Sequence, residues 1–291
     1  MNVLKRFRVD EKARKVYDVA GPHLPRDCLD LLFGHQVGAV LVRDFYGNES
    51  LRQQVIGEIE RTNRTSNWKV SQADGKLVDS EVNTIGMPLN VAKGLGKVDE
   101  YFENALASGR QFRIEGRMSP IDKVRLELDE IYPYGCVLGR DPITRRAHAS
   151  GLVRIMKRNS NRGLVHLDDV SVFSPQCGVF SANVYLQQSL VGGEIEIWPV
   201  TLTSEAEMHE YALEIGLLTS QAASPEAQRA LREFVLPANP TIVKPNAGDL
   251  LLLCVQRPHC VKGPLHGPKP RYNFQTFILH NGGQEPLQVE V

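Results

Sequence analysis

Hydrophobic positions change their spacing about midway along the chain. Before residue 135 they recur at helical intervals: apolar residues at 51, 55, 56 and 59 share one face of a helix predicted over 48–60, and further helices are predicted over 25–33, 97–106 and 119–131. Gly34 marks the end of the first, while Ser119 and Pro120 supply an N-cap and a first-turn proline for the last. A β-rich run over 37–43 lies between the first two helices, and residues 64–96, polar and without period, read as a long irregular connection. From about 136 the pattern turns into short β-rich runs set off by Gly, Pro and Asn: 151–157, 163–168, 178–187, 193–198, 241–244, 249–255 and 272–279. One stretch, 203–235, breaks the series with Ala, Glu and Leu, and Ser224-Pro225-Glu226 opens a helix there. The expected architecture is mainly β with α: a jelly-roll core over 136–291, a mainly helical N-terminal layer over 1–135 and a helical insert over 203–235, in a single domain of 1–291. The insert is expected to act as a lid or an interface, or to protect a sheet edge.

A chain of 291 residues, 42% hydrophobic and 23% charged, has the composition of a folded globular protein and not of a disordered or fibrous one. Its 34 basic and 34 acidic residues cancel. Binding nucleic acid through phosphates calls for a basic surplus, so no nucleic-acid partner is expected. No apolar run approaches the roughly 18 residues of a membrane span, and the first residues turn charged at once, unlike a signal peptide. The five cysteines, an odd number without a CxxC pair, suit a reducing compartment, so a cytoplasmic location without a membrane partner is expected. Cys260, beside a strand, reads as a small buried hydrophobe.

The candidate chemistry begins in Leu164-Val-His-Leu-Asp-Asp169. On an extended chain residues i and i+2 share a face, so His166 and Asp168 can grip one cation together. Far downstream, Gly248-Asp-Leu-Leu-Leu-Leu reads as a buried strand after a turn, and His259 follows a short loop. In a jelly roll, distant strands become neighbours, which lets His259 join the pair. Two imidazoles and one carboxylate on one side of a metal leave its opposite side open, the arrangement of non-haem Fe(II) oxygenases. Zinc accepts the same ligands, so the three residues by themselves do not decide the metal.

With Tyr185-Leu-Gln-Gln-Ser-Leu-Val-Gly-Gly-Glu-Ile-Glu-Ile-Trp198 between the two halves, and Arg271 after the second, the chain resembles the Fe(II)/2-oxoglutarate-dependent dioxygenases over about 155–280. The resemblance implies a double-stranded β-helix core, Fe(II) held by His166, Asp168 and His259, and 2-oxoglutarate and O2 as co-substrates. It also implies that Arg271, twelve residues past His259, holds the far carboxylate of 2-oxoglutarate, with Tyr185 and Asn183 on the same face as further co-substrate contacts. A guanidinium offers a carboxylate a fixed fork and stays charged when buried. Where the family usually has Ser two residues after the Arg, this chain has Asn273, and Lys262 and Lys269 are alternative cations. The helical layer, insert and length also resemble stand-alone small-molecule hydroxylases related to carrier-independent indole-alkaloid halogenases. Halogenases replace the carboxylate ligand by a small residue; Asp168 fills that position, so oxygen chemistry is expected.

The implied activity is hydroxylation of an unactivated C–H bond of a small molecule, an amino acid or natural-product intermediate, with release of succinate and CO2. Desaturation, cyclisation and demethylation use the same parts. Arg110, Arg113, Arg117 and Arg154 are candidates to meet an anionic group and otherwise surface charges; Trp68, Phe112, Phe173, Phe180 and Trp198 are candidates to line a pocket and otherwise core. Two other readings stay open: a cupin-like metal enzyme without 2-oxoglutarate, and a non-catalytic jelly-roll binding protein. A homodimer through the helical layer or the insert is a further expectation.

Overall fold

The structure is a computed structural model that describes residues 9–62, 65–71, 77–110, 112–156, 164–168, 173–202, 204–210, 225–236, 239–263 and 265–291. It is a β-rich mixed fold. The strands of the larger sheet are β1 (Val16–Ala20), β2 (Ala39–Arg43), β3 (Ser66–Ser71), β4 (Leu77–Ile85), β5 (Cys136–Leu138), β6 (Leu152–Met156), β7 (Gly178–Gln187), β10 (Leu250–Cys254), β12 (Arg271–His280) and β13 (Leu287–Glu290). They run in the order β1-β2-β10-β7-β12-β6-β4-β3, with β13 pairing both β12 and β5. The smaller sheet is β11 (His259–Val261), β8 (Ile195–Ile197) and β9 (Thr241–Val243) in the order β11-β8-β9. The helices of the N-terminal half are α1 (Cys28–Phe33), α2 (Glu49–Thr62), α3 (Leu89–Gly94), α4 (Val98–Arg110) and α5 (Pro120–Ile131).

Alternation along the strands gives the large sheet two unlike faces. On one, Phe180, Ala182, Val184, Leu250, Leu252, Phe274, Ile278, Val40 and Val42 pack with Leu32 and Phe33 of α1, Val55, Ile56 and Ile59 of α2, and Val124 and Leu128 of α5. This is the main core, and it explains why α2 carries its apolar residues where the periodicity places them. The α5 cap is also as read from the sequence: Ser119 Oγ accepts from the amide of Asp122 at 3.1 Å.

The opposite face is divided. Toward β2 and β10 it is apolar, and Ala39, Leu41, Leu251, Leu253 and Tyr185 meet Ile195, Ile197 and Val243 of the small sheet. Toward β12 and β6 it is polar although buried: Arg271, Asn273, Gln275, Asn183 and Ser181 are each under 9% exposed. Register aligns them, since Asn273 lies opposite Tyr185 on β7 and Arg154 on β6, and Arg154 lies opposite Thr84 on β4. Polar side chains buried on a sheet face cost stability unless they satisfy one another or a ligand. That half of the face is where a site is built.

The turn entering β10 is fixed by side-chain and backbone bonds, with the Gly248 amide donating to the Tyr185 carbonyl at 2.6 Å. Asp249, buried, accepts from the amides of Asn246 (2.7 Å) and Asp44 (3.1 Å) and from Arg43 Nη1 (2.8 Å). Gly248 before it has φ +101°, and a Cβ there would come within 3.2 Å of Gly47 Cα, so a glycine is required.

Several expectations change. Residues 64–96 are not an irregular connection: β3 and β4 form an antiparallel hairpin, β4 pairs with β6, and α3 follows. The hairpin sits at the sheet edge, where polar residues such as Asn67, Lys69, Asp79 and Asn83 erase the apolar alternation that would reveal it. Of the stretch 163–168 expected as a strand, the described residues 164–168 form none; only His166 makes a bridge, to His259. β1 and β13, at partly exposed positions, went unanticipated. In the insert, 205–210 is helical (α6), and α7 (Pro225–Ala230) runs into a π-helical turn, Leu231–Val235. The cap at Ser224 lies outside the described residues.

Candidate active site

Two distant segments are stitched together at the end of the small sheet. The amide of His166 donates to the carbonyl of His259, and that of His259 to the carbonyl of His166, both at 3.1 Å. The Asp168 amide donates to the Val255 carbonyl at 3.2 Å. β11 is itself held by β8, with His259 opposite Ile197. These backbone bonds place the two imidazole rings 4.4 Å apart, with the Asp168 side chain against both.

Both imidazoles are oriented by backbone carbonyls. His166 Nδ1 lies 2.7 Å from the Leu164 carbonyl and His259 Nδ1 lies 2.9 Å from the Arg257 carbonyl. A carbonyl oxygen only accepts, so each Nδ1 carries the proton and each neutral ring turns the Nε2 lone pair inward. The Nε2 atoms lie 3.5 Å (His166) and 3.4 Å (His259) from the two oxygens of Asp168. One potential ligand atom from each of the three residues falls within 4.8 Å of the others. Asp168 Oδ2 is buried and makes no hydrogen bond. Three converging acceptors repel one another unless a cation lies among them, so these residues fit a divalent metal held through one carboxylate and two Nε2 atoms.

Without metal, protons take that place. Burial alone would push the Asp168 carboxyl up, but the imidazoles of His166 and His259 outweigh it and hold the carboxyl well below the usual carboxylate range. Burial would likewise lower the His166 pKa, yet the adjacent Asp168 carboxylate raises it above the ordinary histidine value. The sign for metal binding follows directly. A raised His166 pKa means that the proton competes with metal already above about pH 6.5. Calorimetry with Co(II) is therefore expected to show affinity falling steadily from pH 8 to pH 6; an affinity flat over that range would rule the imidazoles out as ligands.

Arg271 opens β12 on the polar face, 4% exposed. Its Nη1 reaches Met156 Sδ (3.2 Å) and Asn273 Oδ1 (3.3 Å), its guanidinium carbon stands 5.0 Å from the centre of the Tyr185 ring, and its Nε has no hydrogen-bond partner. Among the described residues no carboxylate lies within ion-pair reach of it. A buried guanidinium with a thioether, an amide and an aromatic ring around it fits an incoming carboxylate. Asn273 Nδ2 donates to Asn183 Oδ1 (3.1 Å) and Asn183 Nδ2 to Ser181 Oγ (3.2 Å), a line of polar side chains along the buried sheet face. Asn273 thus orients Arg271 while also satisfying Asn183. Burial, partly offset by the nearby Arg271 charge, raises the Tyr185 phenol, which stays protonated and able to donate.

The other candidates divide clearly. Lys262 and Lys269 are exposed, as are Arg110, Arg113 and Arg117, with Arg113 paired to Asp122. Phe112, Phe173 and Phe180 belong to the main core, and Trp198 is buried under Arg232 in the small cluster around Cys260. Cys260 is buried as expected, its thiol pushed up to about 12 by burial. The Trp68 side chain and Asp169, the residue after the Asp168 ligand candidate, lie outside what the structure describes. Sequence reasoning did not single out Met156, Ser181, Gln275 or the carbonyls of Leu164 and Arg257. No residue-type signal marks them, because register and backbone position alone bring them to the site.

No protein-family model matches the chain, and no curated protein does. Solved structures are similar. An N-substituted L-amino acid dioxygenase from Burkholderia ambifaria AMMD aligns over 91% of this chain and 91% of that one, with a TM-score of 0.53 and 14% identity. The same dioxygenase in complex with α-ketoglutarate aligns over 84% and 91%, with a TM-score of 0.48 and 12% identity. A prolyl hydroxylase from Trichoplax adhaerens, in complex with a hypoxia-inducible factor peptide, aligns over 84% of each chain with a TM-score of 0.41 and 12% identity. The chain therefore shares the overall fold of the Burkholderia dioxygenase along nearly its whole length.

Proposed function

We propose that this protein is an Fe(II)- and 2-oxoglutarate-dependent dioxygenase built on a double-stranded β-helix, and that it hydroxylates an unactivated C–H bond of a small molecule. One observation carries the reading: two inward-turned Nε2 atoms and the Asp168 carboxylate converge on one point, and the same fold buries Arg271 with no carboxylate in ion-pair reach among the described residues. His166, Asp168 and His259 would hold the iron, and Arg271, backed by Asn273 and facing Tyr185, would hold the far carboxylate of 2-oxoglutarate. Iron supplies the redox chemistry: 2-oxoglutarate, O2 and a substrate C–H give succinate, CO2 and C–OH. The chain supplies position and a dry setting. Backbone carbonyls lock both ring tautomers, the amide line fixes Arg271, and the apolar junction of the two sheets excludes water beyond Tyr185.

The carboxylate of Asp168 supports oxygen transfer over halide transfer, since it takes the position a halide would need. A cupin-like metal protein without 2-oxoglutarate would share the three ligands but leaves the burial of Arg271 without a purpose. The test is anaerobic addition of Fe(II) and 2-oxoglutarate to the purified protein. A visible metal-to-ligand charge-transfer band that needs both components is expected; a metal-bound protein giving no band with 2-oxoglutarate would sink the proposal.

A further inference from the structure

The helical insert grips both metal-bearing segments. In α7 and the π-helical turn after it, Gln228, Leu231 and Arg232 are spaced i, i+3 and i+4 and share one face, while Arg229 and Glu233 are exposed. Gln228 Oε1 accepts from the amide of Val165 at 3.1 Å. His166 and Asp168 turn their amides to His259 and Val255; the Val165 amide has no strand to bond, and a side chain of the insert meets it instead. Turned over, the Gln228 amide would set two N–H groups against each other, so its oxygen is the atom that faces Val165. Its Nε2 is buried and makes no hydrogen bond.

Arg232 reaches the other segment. Its Nη1 donates to Glu196 Oε2 at 2.8 Å and its Nη2 to Cys260 Sγ at 3.1 Å, and the Cys260 thiol donates to the same Glu196 oxygen at 3.2 Å. Glu196 and Cys260 are partners in the β8–β11 register, and Cys260 directly follows His259. Apolar packing repeats the division. Val165, Cys260 and Leu231 are buried in one cluster with Leu167 packed against it, whereas His166, Asp168 and His259 converge with one another. Val165 and Leu167 thus face the insert, and His166 and Asp168 face the metal site. On the small sheet, Glu196 and Cys260 face the insert while Ile195 and Ile197 pack on the large sheet. The described part of the insert therefore stands behind the ligand-bearing backbone, where it braces and does not close over the metal.

We propose that Gln228 and Arg232 are positioning residues of the metal centre: Gln228 sets His166 through the Val165 amide, and Arg232 sets His259 through Glu196 and Cys260. The inference rests on the dioxygenase reading for its metal and goes beyond it in giving the insert a task. A ligand carried by a short segment outside any strand depends on whatever fixes that segment, and such outer partners are typically worth about 10- to 100-fold in metal affinity.

Calorimetry with Co(II), together with the visible ligand-field spectrum of the Co(II) protein, tests this without turnover. Gln228→Met fills similar space and leaves the Val165 amide unsatisfied, so it should weaken Co(II) by about 10-fold or more and shift the ligand-field bands. Gln228→Glu keeps an acceptor toward Val165, loses no bond at its other terminal atom and has Arg232 one turn away to offset its charge; it should bind Co(II) within about threefold of the parent, with the parental spectrum. Met208→Ala, in the same cluster on α6, opens a cavity and should lower Tm while keeping Co(II) affinity within about threefold. Arg232→Lys keeps the charge without the planar fork that serves Glu196 and Cys260 together; it should weaken Co(II) by about three- to tenfold, and it carries the test if Gln228→Met fails to fold. Parental affinity and spectrum in Gln228→Met, or in Arg232→Lys where that variant stands in, would overturn the inference. So would Gln228→Glu binding as weakly as Gln228→Met, or Met208→Ala weakening Co(II) as much, which would reduce the insert to packing. A parent protein that binds no Co(II) would instead bring down the dioxygenase reading, and this inference with it.

Discussion

Asp168→Ala is expected to abolish turnover and to weaken divalent-metal binding by more than about 100-fold, beyond the 10- to 100-fold typical of losing a group that only orients a ligand. The carboxylate is the only negative charge among the three converging side chains, and without it two neutral imidazoles must hold a dication alone. The folded state should survive. Asp168 Oδ2 makes no hydrogen bond, and the amide of residue 168 keeps its bond to the Val255 carbonyl whatever the side chain. Asp168→Asn sharpens the test, because it preserves shape and removes charge. Co(II) or Mn(II) calorimetry and succinate release measure the two effects separately. Metal affinity within tenfold of the parent, together with retained product formation, would show that the metal is not held here.

Replacing Arg271 by Met should leave metal affinity almost unchanged and weaken 2-oxoglutarate by about 100-fold or more, since removing one partner of a buried, hydrogen-bonded charge pair costs about 2–5 kcal/mol. Arg271→Lys should recover only part of this, because a point charge on a flexible stem cannot present the planar fork. The same Met substitution has an opposite expected effect on the empty protein. Arg271 is 4% exposed, burial lowers its pKa, and its Nε is unsatisfied, so an apolar side chain of similar length should unfold at the same temperature or a higher one. Stability given up for binding is the signature of a site residue. A variant that binds 2-oxoglutarate within threefold of the parent, or that is strongly destabilised without ligand, would make Arg271 a structural residue.

How much of this was legible depends on what each residue's environment adds to its type. Runs such as Leu250–Cys254 and Gly178–Gln187 announce buried strands through apolar content alone, and α5 announces its start through Ser119 and Pro120. The edge hairpin of β3 and β4 was illegible because edge strands need no apolar alternation. The reading of 163–168 as a strand had the right residues in the wrong element. His166 and Asp168 are aligned by bonds to His259 and Val255 and not by a ladder of their own. Arg154 shows the limit most plainly: in sequence it resembles Arg110, Arg113 and Arg117, yet only Arg154 stands on a strand of the large sheet, bonded to Gln275 on the polar face, and the other three are exposed.

The sequence by itself determined which groups can do the chemistry. Imidazole, carboxylate and guanidinium carry their ligand and charge properties wherever they lie, so His166, Asp168, His259 and Arg271 stood out by type, order and spacing. Only the tertiary structure decided how they act together. It closed the distance between segments some ninety residues apart, turned each Nδ1 to a carbonyl so that each Nε2 faces inward, and buried Arg271 on the polar half of a sheet face. Convergence and burial are properties of the register between strands, and register is set by contacts across the whole sheet rather than by any local run of residues.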